Sequence, residues 1–241
     1  MPHAHPSNSP PHRDVASRRE RAFRALAAEE SKFVAAMKRS HIALRAGEPV
    51  IEANAHISAL YVVYEGWALR YRTLRSGARQ ILDFVLPGDW VGLPSVFFGS
   101  SGYSVRTLTP VTLWVLDPSR LRPLLREQPG LSWAFLKGRI AEQERADTRL
   151  ALLGRLGASE RIGYLLLELR DRLRARGLFR GQSGALPLDR ALLADAVGLS
   201  RVHVLRAMRA LRSRGLADLT DRILTIPSVR NLARFSGYPL K

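Results

Sequence analysis

The sequence predicts an α+β chain: an antiparallel β sandwich or barrel, then a long helix, then a pair of short helices followed by a β hairpin. Three observations carry that prediction. Residues 42–116 are rich in β-branched and aromatic runs broken by glycine and proline turns. Helical texture returns after Pro118 and holds to about Arg176. Residues 187–212 then read as two helical stretches around Gly198, with two short apolar runs after them.

Residues 1–18 read as a disordered lead, and 19–39 as a helix with Phe23, Leu26, Phe33 and Met37 as its apolar positions. The strands are expected at Ala59–Tyr64, Trp67–Arg72, Gln80–Val85 and Val111–Leu116, punctuated by Glu65-Gly66, Ser76-Gly77 and Pro87-Gly88-Asp89. The alternation in Trp67-Ala-Leu-Arg-Tyr-Arg followed by Ser-Gly fits a hairpin with one wet face. In the long helical stretch, Leu136, Ile140, Leu150 and Leu153 form an imperfect apolar seam with Gln143 and Asp147 near its middle. That seam fits a dimer helix or a helix packed on its own β domain. Gly154 and Gly157 interrupt the texture and mark a candidate hinge; Ser159 then fits an N-cap. Ile162, Leu165, Leu166, Leu169 and Leu173 give the next helix a core face, and Gly177–Gly184 reads as a loop. The division is a tail at 1–18, an effector domain at 19–128, a central helix and hinge at 129–157, and a C-terminal domain at 158–241.

The chain has 241 residues, 38 Lys and Arg against 21 Asp and Glu, and a net charge of +17. At ~100 to 200 residues per domain this is one large or two modest domains. The hydrophobic fraction of 46% excludes general disorder. Residues 151–241 hold 17 basic and 7 acidic side chains, so the C-terminal part is the more basic and a polyanion is the expected partner, nucleic acid before an anionic membrane. There is no cysteine, which removes disulfides, thiolate metal sites and a cysteine nucleophile. The N-terminus lacks the apolar core of a secretory signal and no apolar run approaches ~20 residues, so a cytoplasmic protein without a membrane partner is expected.

Asp189 can cap the first short helix, whose apolar side is Leu192, Leu193, Ala196 and Val197. Gly198 supplies the abrupt end and Ser200 can cap the second helix. There Val204, Leu205, Met208 and Leu211 share one side, leaving Arg201, Val202, His203, Arg206 and Arg209 toward another. A helix-turn-helix requires this division: one side anchors the crossing angle, the other brings guanidinium forks to guanine edges and phosphates in the major groove. Helix-glycine-helix alone also fits a core hairpin. The following Gly215–Ile226, two apolar runs around Thr220-Asp221-Arg222, fits a wing that can reach backbone phosphate through Arg222.

The order of Glu65-Gly66 with a basic strand, Phe84-Val-Leu-Pro-Gly-Asp-Trp-Val-Gly92, a long helix, and Gly198-Leu-Ser-Arg-Val-His-Val-Leu-Arg206 with a wing resembles the Crp/Fnr family of bacterial transcription regulators. The resemblance implies an N-terminal cyclic-nucleotide-binding-like jelly-roll, a central dimerisation helix and a C-terminal winged helix-turn-helix. It further implies a homodimer on a roughly palindromic double-stranded DNA site, RNA polymerase as a partner, and control by a small-molecule effector whose identity is open. By the same resemblance Arg201 and Arg206 occupy contact positions, and the family's base-reading acid is replaced by Val202, which can pack on a thymine methyl. Arg209 is expected to face the DNA backbone and His203 to touch phosphate.

The chain also departs from the family. Where cyclic-AMP binders carry Phe-Gly-Glu and Arg-Ser-Ala, it reads Val91-Gly-Leu-Pro and Ser100-Ser-Gly-Tyr, so the phosphate arginine falls on Ser101 and Arg106 is displaced along the strand. Without an aimed cation the phosphate loses its main charge-assisted bond, so cyclic-nucleotide binding is not expected. An iron–sulfur cluster has no thiolate to hold it. His3, His5 and His12 could chelate a metal but fall on the expected disordered tail. A lone His41 or His56 is more often structural or solvated than a haem ligand, and His203 is better placed for phosphate than for a metal, so no cofactor is expected. Residues 42–116 carry no paired carboxylates, nucleophile–base set or glycine-rich phosphate loop, which argues against an enzyme. The alternative to a sequence-specific regulator is a nucleic-acid-coating or architectural protein that uses its charge without sequence choice.

Overall fold

The computed structural model describes residues 28–55 and 59–240. The tail at 1–18, residues 19–27 of the expected first helix, and His3, His5, His12 and His56 lie outside them. Helix α1 (Ala28–Met37) buries Val34 and Met37, and the chain turns to strand at Lys38 rather than continuing to residue 39. The change is tertiary in origin: Lys38 pairs with Leu116, and its ammonium lies 4.0 Å from the Trp114 ring centroid.

Eight strands follow: β1 (Lys38–Leu44), β2 (Pro49–Ile51), β3 (Leu60–Glu65), β4 (Ala68–Thr73), β5 (Arg79–Val85), β6 (Trp90–Val91), β7 (Ser104–Thr107) and β8 (Val111–Leu116). They form two antiparallel sheets, β1-β8-β3-β6 and β2-β7-β4-β5. Ile51, Val63, Ala68, Val85, Val105 and Leu113 close the core between them. The Glu65-Gly66 turn admits glycine only: φ is 88°, and a Cβ there would sit 2.1 Å from the Pro110 carbonyl oxygen. In the Pro87-Gly88-Asp89 turn the Asp89 carboxylate accepts from the Leu86 N–H at 2.8 Å. A short helix, α2 (Leu93–Phe98), precedes β7. The expected wet face of β4 holds at Arg72, which is exposed, and is corrected at Arg70, which is half-buried and pairs with Glu142.

After a 3-10 turn at Pro118–Arg120 and helix α3 (Leu121–Glu127) comes the 27-residue α4 (Pro129–Arg155). Gly154 lies within α4, so the break expected there falls instead at Leu156, which is extended. Helix α5 (Ala158–Ala175) is capped at Gly157, whose N–H donates to the Glu160 carboxylate at 2.6 Å; Ser159 is inside the first turn and is not the cap. Its predicted stripe, Ile162, Leu165, Leu166, Leu169 and Leu173, is buried. Leu167 is also fully buried, because one continuous core joins α5 to the C-terminal helices and to Trp67, Leu69, Tyr71, Ile81, Phe84 and Leu86 of the sandwich. At ~1.5 to 3 kcal/mol per fully buried large apolar side chain, this core holds the two parts together.

Polar groups are buried at the same junction. Burial would raise the Asp83 carboxyl, but the Arg172, Arg149 and Arg70 guanidiniums outweigh it and hold the group well below the usual carboxylate range. Burial acts likewise on Asp89, and Arg176 and Arg172 lower it. A carboxyl lowered by folding contributes stability that is fully present above its unfolded pKa of about 4 and is lost as pH falls toward the folded value. Chemical denaturation midpoints measured from about pH 6 down to about 3 are therefore expected to fall more for the wild type than for Asp83→Asn.

Candidate nucleic-acid interface

Helix α6 (Arg190–Val197) starts at Asp189, whose carboxylate accepts from the Leu192 N–H at 2.8 Å, and ends at Gly198 with φ 66°. Leu192, Leu193, Ala194 and Val197 are buried. Helix α7 (Arg201–Ser213) is capped by Ser200, whose Oγ accepts from the His203 N–H at 3.3 Å. The Ser200 Oγ also lies 2.8 Å from His203 Nδ1, which orients the ring and leaves its Nε2 for another partner. Val204, Ala207 and Leu211 anchor α7, while Leu205 and Met208 are half-buried at the edge of the stripe.

Ser200, Arg201, Val202, His203, Arg206 and Arg209 are all exposed, Val202 to 56%. None of Arg201, Arg206 and Arg209 enters an ion pair among the described residues. The helix thus presents three uncommitted guanidiniums and one aliphatic side chain to solvent, which is the chemistry that reads base edges in the major groove.

The wing comprises β10 (Asp218–Thr220) and β11 (Ile223–Thr225), joined by Asp221 and Arg222 with φ of 51° and 62°. Positive φ at both central residues is the signature of a tight two-residue hairpin turn, one residue shorter than the polar turn read from the sequence. A third strand, β9 (Ser183–Ala185), pairs with β11 where a loop was expected; three residues with two glycine or serine positions give no alternation to read. Helix α8 (Val229–Ser236) packs on α5 and completes the unit. Arg222 is exposed at the tip.

Sequence reasoning missed two arginines. An open groove of 760 Å³ runs between α6, α7 and the wing, and Arg190 and Arg212 line it beside Arg201, Arg209 and Arg222. Arg212 binds the wing: its Nε donates to Asp218 at 2.8 Å and a second nitrogen donates to the Thr220 hydroxyl. An acid six residues after an arginine is the only sequence signal for that pair. Arg222→Ala is expected to weaken DNA binding about equally on all sequences and to reduce the salt slope by about one, as measured by titration across salt concentrations.

In the sandwich, Ser101 is fully buried and its Oγ donates to the Tyr103 carbonyl at 3.0 Å, so no cation occupies that position. Arg106 lies on β7, 3.7 Å from the Glu52 carboxylate. A cavity of 150 Å³ between β4, β5, β7 and α4 is crossed by the Arg70–Glu142 pair. Burial opposes the charge on Arg70, and Asp83 and Glu142 more than restore it. His41 is exposed on β1, and no group of three His, Cys, Asp or Glu with metal-binding geometry occurs among the described residues. No helix among them is long and apolar enough to cross a membrane.

A β sandwich of this topology, a long helix and a winged helix-turn-helix with a cationic face define a DNA-binding regulator carrying an effector-type domain. Residues 41–128 match the cyclic nucleotide-binding domain and residues 160–235 the Crp-like helix-turn-helix domain. The nitrogen fixation regulation protein FixK of Bradyrhizobium diazoefficiens is 31% identical over 191 residues, 78% of each chain. The transcriptional activator protein FnrL of Cereibacter sphaeroides is 29% identical over 74% of this chain and 72% of its own. The solved structure of FixK2 from Bradyrhizobium japonicum superposes with a TM-score of 0.73 at 25% identity, covering 81% of this chain and 96% of that one. The chain belongs to the Crp/Fnr family of transcription regulators.

Proposed function

We propose that the protein acts in the cytoplasm as a homodimer that binds a roughly palindromic DNA site and contacts RNA polymerase there, without control by cyclic AMP or an iron–sulfur cluster. The observation that carries this reading is the exposed arginine face of α7 opposite its buried stripe. Dimerisation is supported by α4. Trp133, Leu136, Ile140 and Leu150 follow the 3-4 spacing of a coiled-coil seam and are 63%, 46%, 51% and 70% exposed in the single chain. Gln143 and Asp147 complete the same stripe and hydrogen-bond each other at 2.8 Å. A two-fold axis along α4 would set two α7 helices about one DNA turn, roughly 34 Å, apart.

Independence from cyclic AMP is supported by Ser101, which offers no guanidinium to a phosphate, and by Glu142, which already occupies Arg70. The absence of cysteine supports independence from a cluster. Competition between a site selected from random DNA and bulk genomic DNA tests the reading. A preference of ~10³ or more is expected. Equal binding to both would favour an architectural protein instead.

A further inference from the structure

The junction between the sandwich and the DNA-binding domain holds a buried cluster of ion pairs, with Arg70 at its edge 3.9 Å from Asp83. Three carboxylates, Asp83, Asp89 and Glu168, meet three guanidiniums, Arg149, Arg172 and Arg176. They come from three different parts of the chain: Asp83 and Asp89 from β5 and its following turn, Arg149 from α4, and Glu168 and Arg172 from α5 with Arg176 at its C-terminal cap. Asp83 accepts from Arg149 at 2.9 Å and from Arg172 at 2.8 Å. Asp89 accepts from Arg172 at 2.7 Å and also pairs with Arg176. The same three arginines also donate to backbone carbonyls spread along residues 82–87: Arg149 to Leu82 at 2.7 Å, Arg172 to Phe84 at 2.8 Å, and Arg176 to Pro87 at 2.7 Å.

Apolar surfaces hold two bodies together but tolerate sliding and rotation between them. Forked guanidiniums bound at once to carboxylates and to backbone carbonyls do not, because each donor has one direction and a buried, unmade bond is costly. Buried ion pairs add little net stability relative to apolar packing, so their effect here lies in orientation. None of the cluster's arginines belongs to α7, and the docked arrangement leaves Arg201, Arg206 and Arg209 exposed.

We infer that Asp83, with Asp89, is a positioning residue for DNA recognition: from the sandwich it fixes the orientation of the winged helix-turn-helix relative to α4. The spacing of two recognition helices across the dimer axis is then pre-set before DNA arrives. This rests on the dimer reading above, since pre-set spacing matters only on a site with two half-sites.

The absence of cysteine makes the test direct. Spin labels at Ser76→Cys, on the exposed β4–β5 turn, and at Ser213→Cys, at the exposed end of α7, report the distance between the two parts within one chain when diluted with unlabelled protein. A narrow distance distribution is expected in the otherwise unaltered protein and a broad one in Asp83→Asn. In parallel, Asp83→Asn is expected to lose about tenfold or more in affinity for the full palindrome while keeping its affinity for a single half-site. Asp89→Asn leaves the Asp83 pairs in place and carries the same expectation at smaller size. A folding defect in either variant shows as lost half-site binding, and the other variant then decides. An unbroadened distribution, or full-site affinity that is unchanged or raised in both variants, overturns the inference. A monomeric mass on DNA overturns the dimer reading separately, because the distance distribution within one chain does not depend on it.

Discussion

Ile140→Glu is expected to turn the protein into a monomer and to lower affinity for the full site by ~10² to 10⁴. Ile140 is 51% exposed in the single chain and sits mid-seam between Leu136 and Gln143, where a partner helix would desolvate it. Two facing carboxylates there cannot be buried without partners, and the seam already carries Asp147. Because Ile140 makes no contribution to the buried core of its own chain, the folded state of each protomer should survive. Sedimentation equilibrium reads the mass, and titration with full and half sites reads the affinity. Half-site binding that is retained while full-site binding collapses is the expected pair of results. A dimeric mass with undiminished full-site affinity would place the contact elsewhere.

Arg206→Ala is expected to cost ~1 to 3 kcal/mol on the selected site and to relax preference at one base position in each half. The residue lies on the same side of α7 as Val202, one turn further along, and forms no ion pair among the described residues. Its guanidinium therefore reaches DNA without first breaking an internal bond, and a bidentate approach to guanine O6 and N7 is the contact that such a side chain makes best. Selection from random DNA with the variant reads the relaxation. An unchanged consensus with uniformly weaker binding would make Arg206 a phosphate contact. Arg212, whose Nε and one terminal nitrogen are held by Asp218 and Thr220, is not expected to change base preference.

Much of this architecture was legible in the sequence because its elements satisfy local rules that no tertiary contact overturns. Strands β3, β4, β5 and β8 carry β-branched or aromatic residues between glycine and proline turns, and the structure places them within one or two residues of expectation. The helix-turn-helix was legible for the same reason: Asp189, Gly198 and Ser200 each cap the end that their chemistry suits. What escaped was short or non-local. Strands β2, β6 and β9 have two or three residues and exist only through their partners. The helix cap moved from Ser159 to Gly157 because Glu160 satisfies the free N–H from the other side.

The charge count pointed to a polyanion but could not say which arginines were available to one. Arg149, Arg172 and Arg176 are committed inside the protein, and Arg79 and Arg212 pair with Asp195 and Asp218. Arg201, Arg206 and Arg209 are in no such pair. That division is set by contacts up to 116 residues apart in the chain, which no spacing rule reveals. It also sorts the arginines by use: those on the outer side of α7 stay exposed, while those at the domain junction are held in ion pairs inside the protein.

Methylation interference at guanine N7 tests the placement of α7 most directly. With α7 seated in the major groove, N7 methylation should abolish binding at guanines in two clusters, one per half-site, with centres about one helical turn apart. Protection confined to phosphates, with no guanine whose N7 matters, would contradict it.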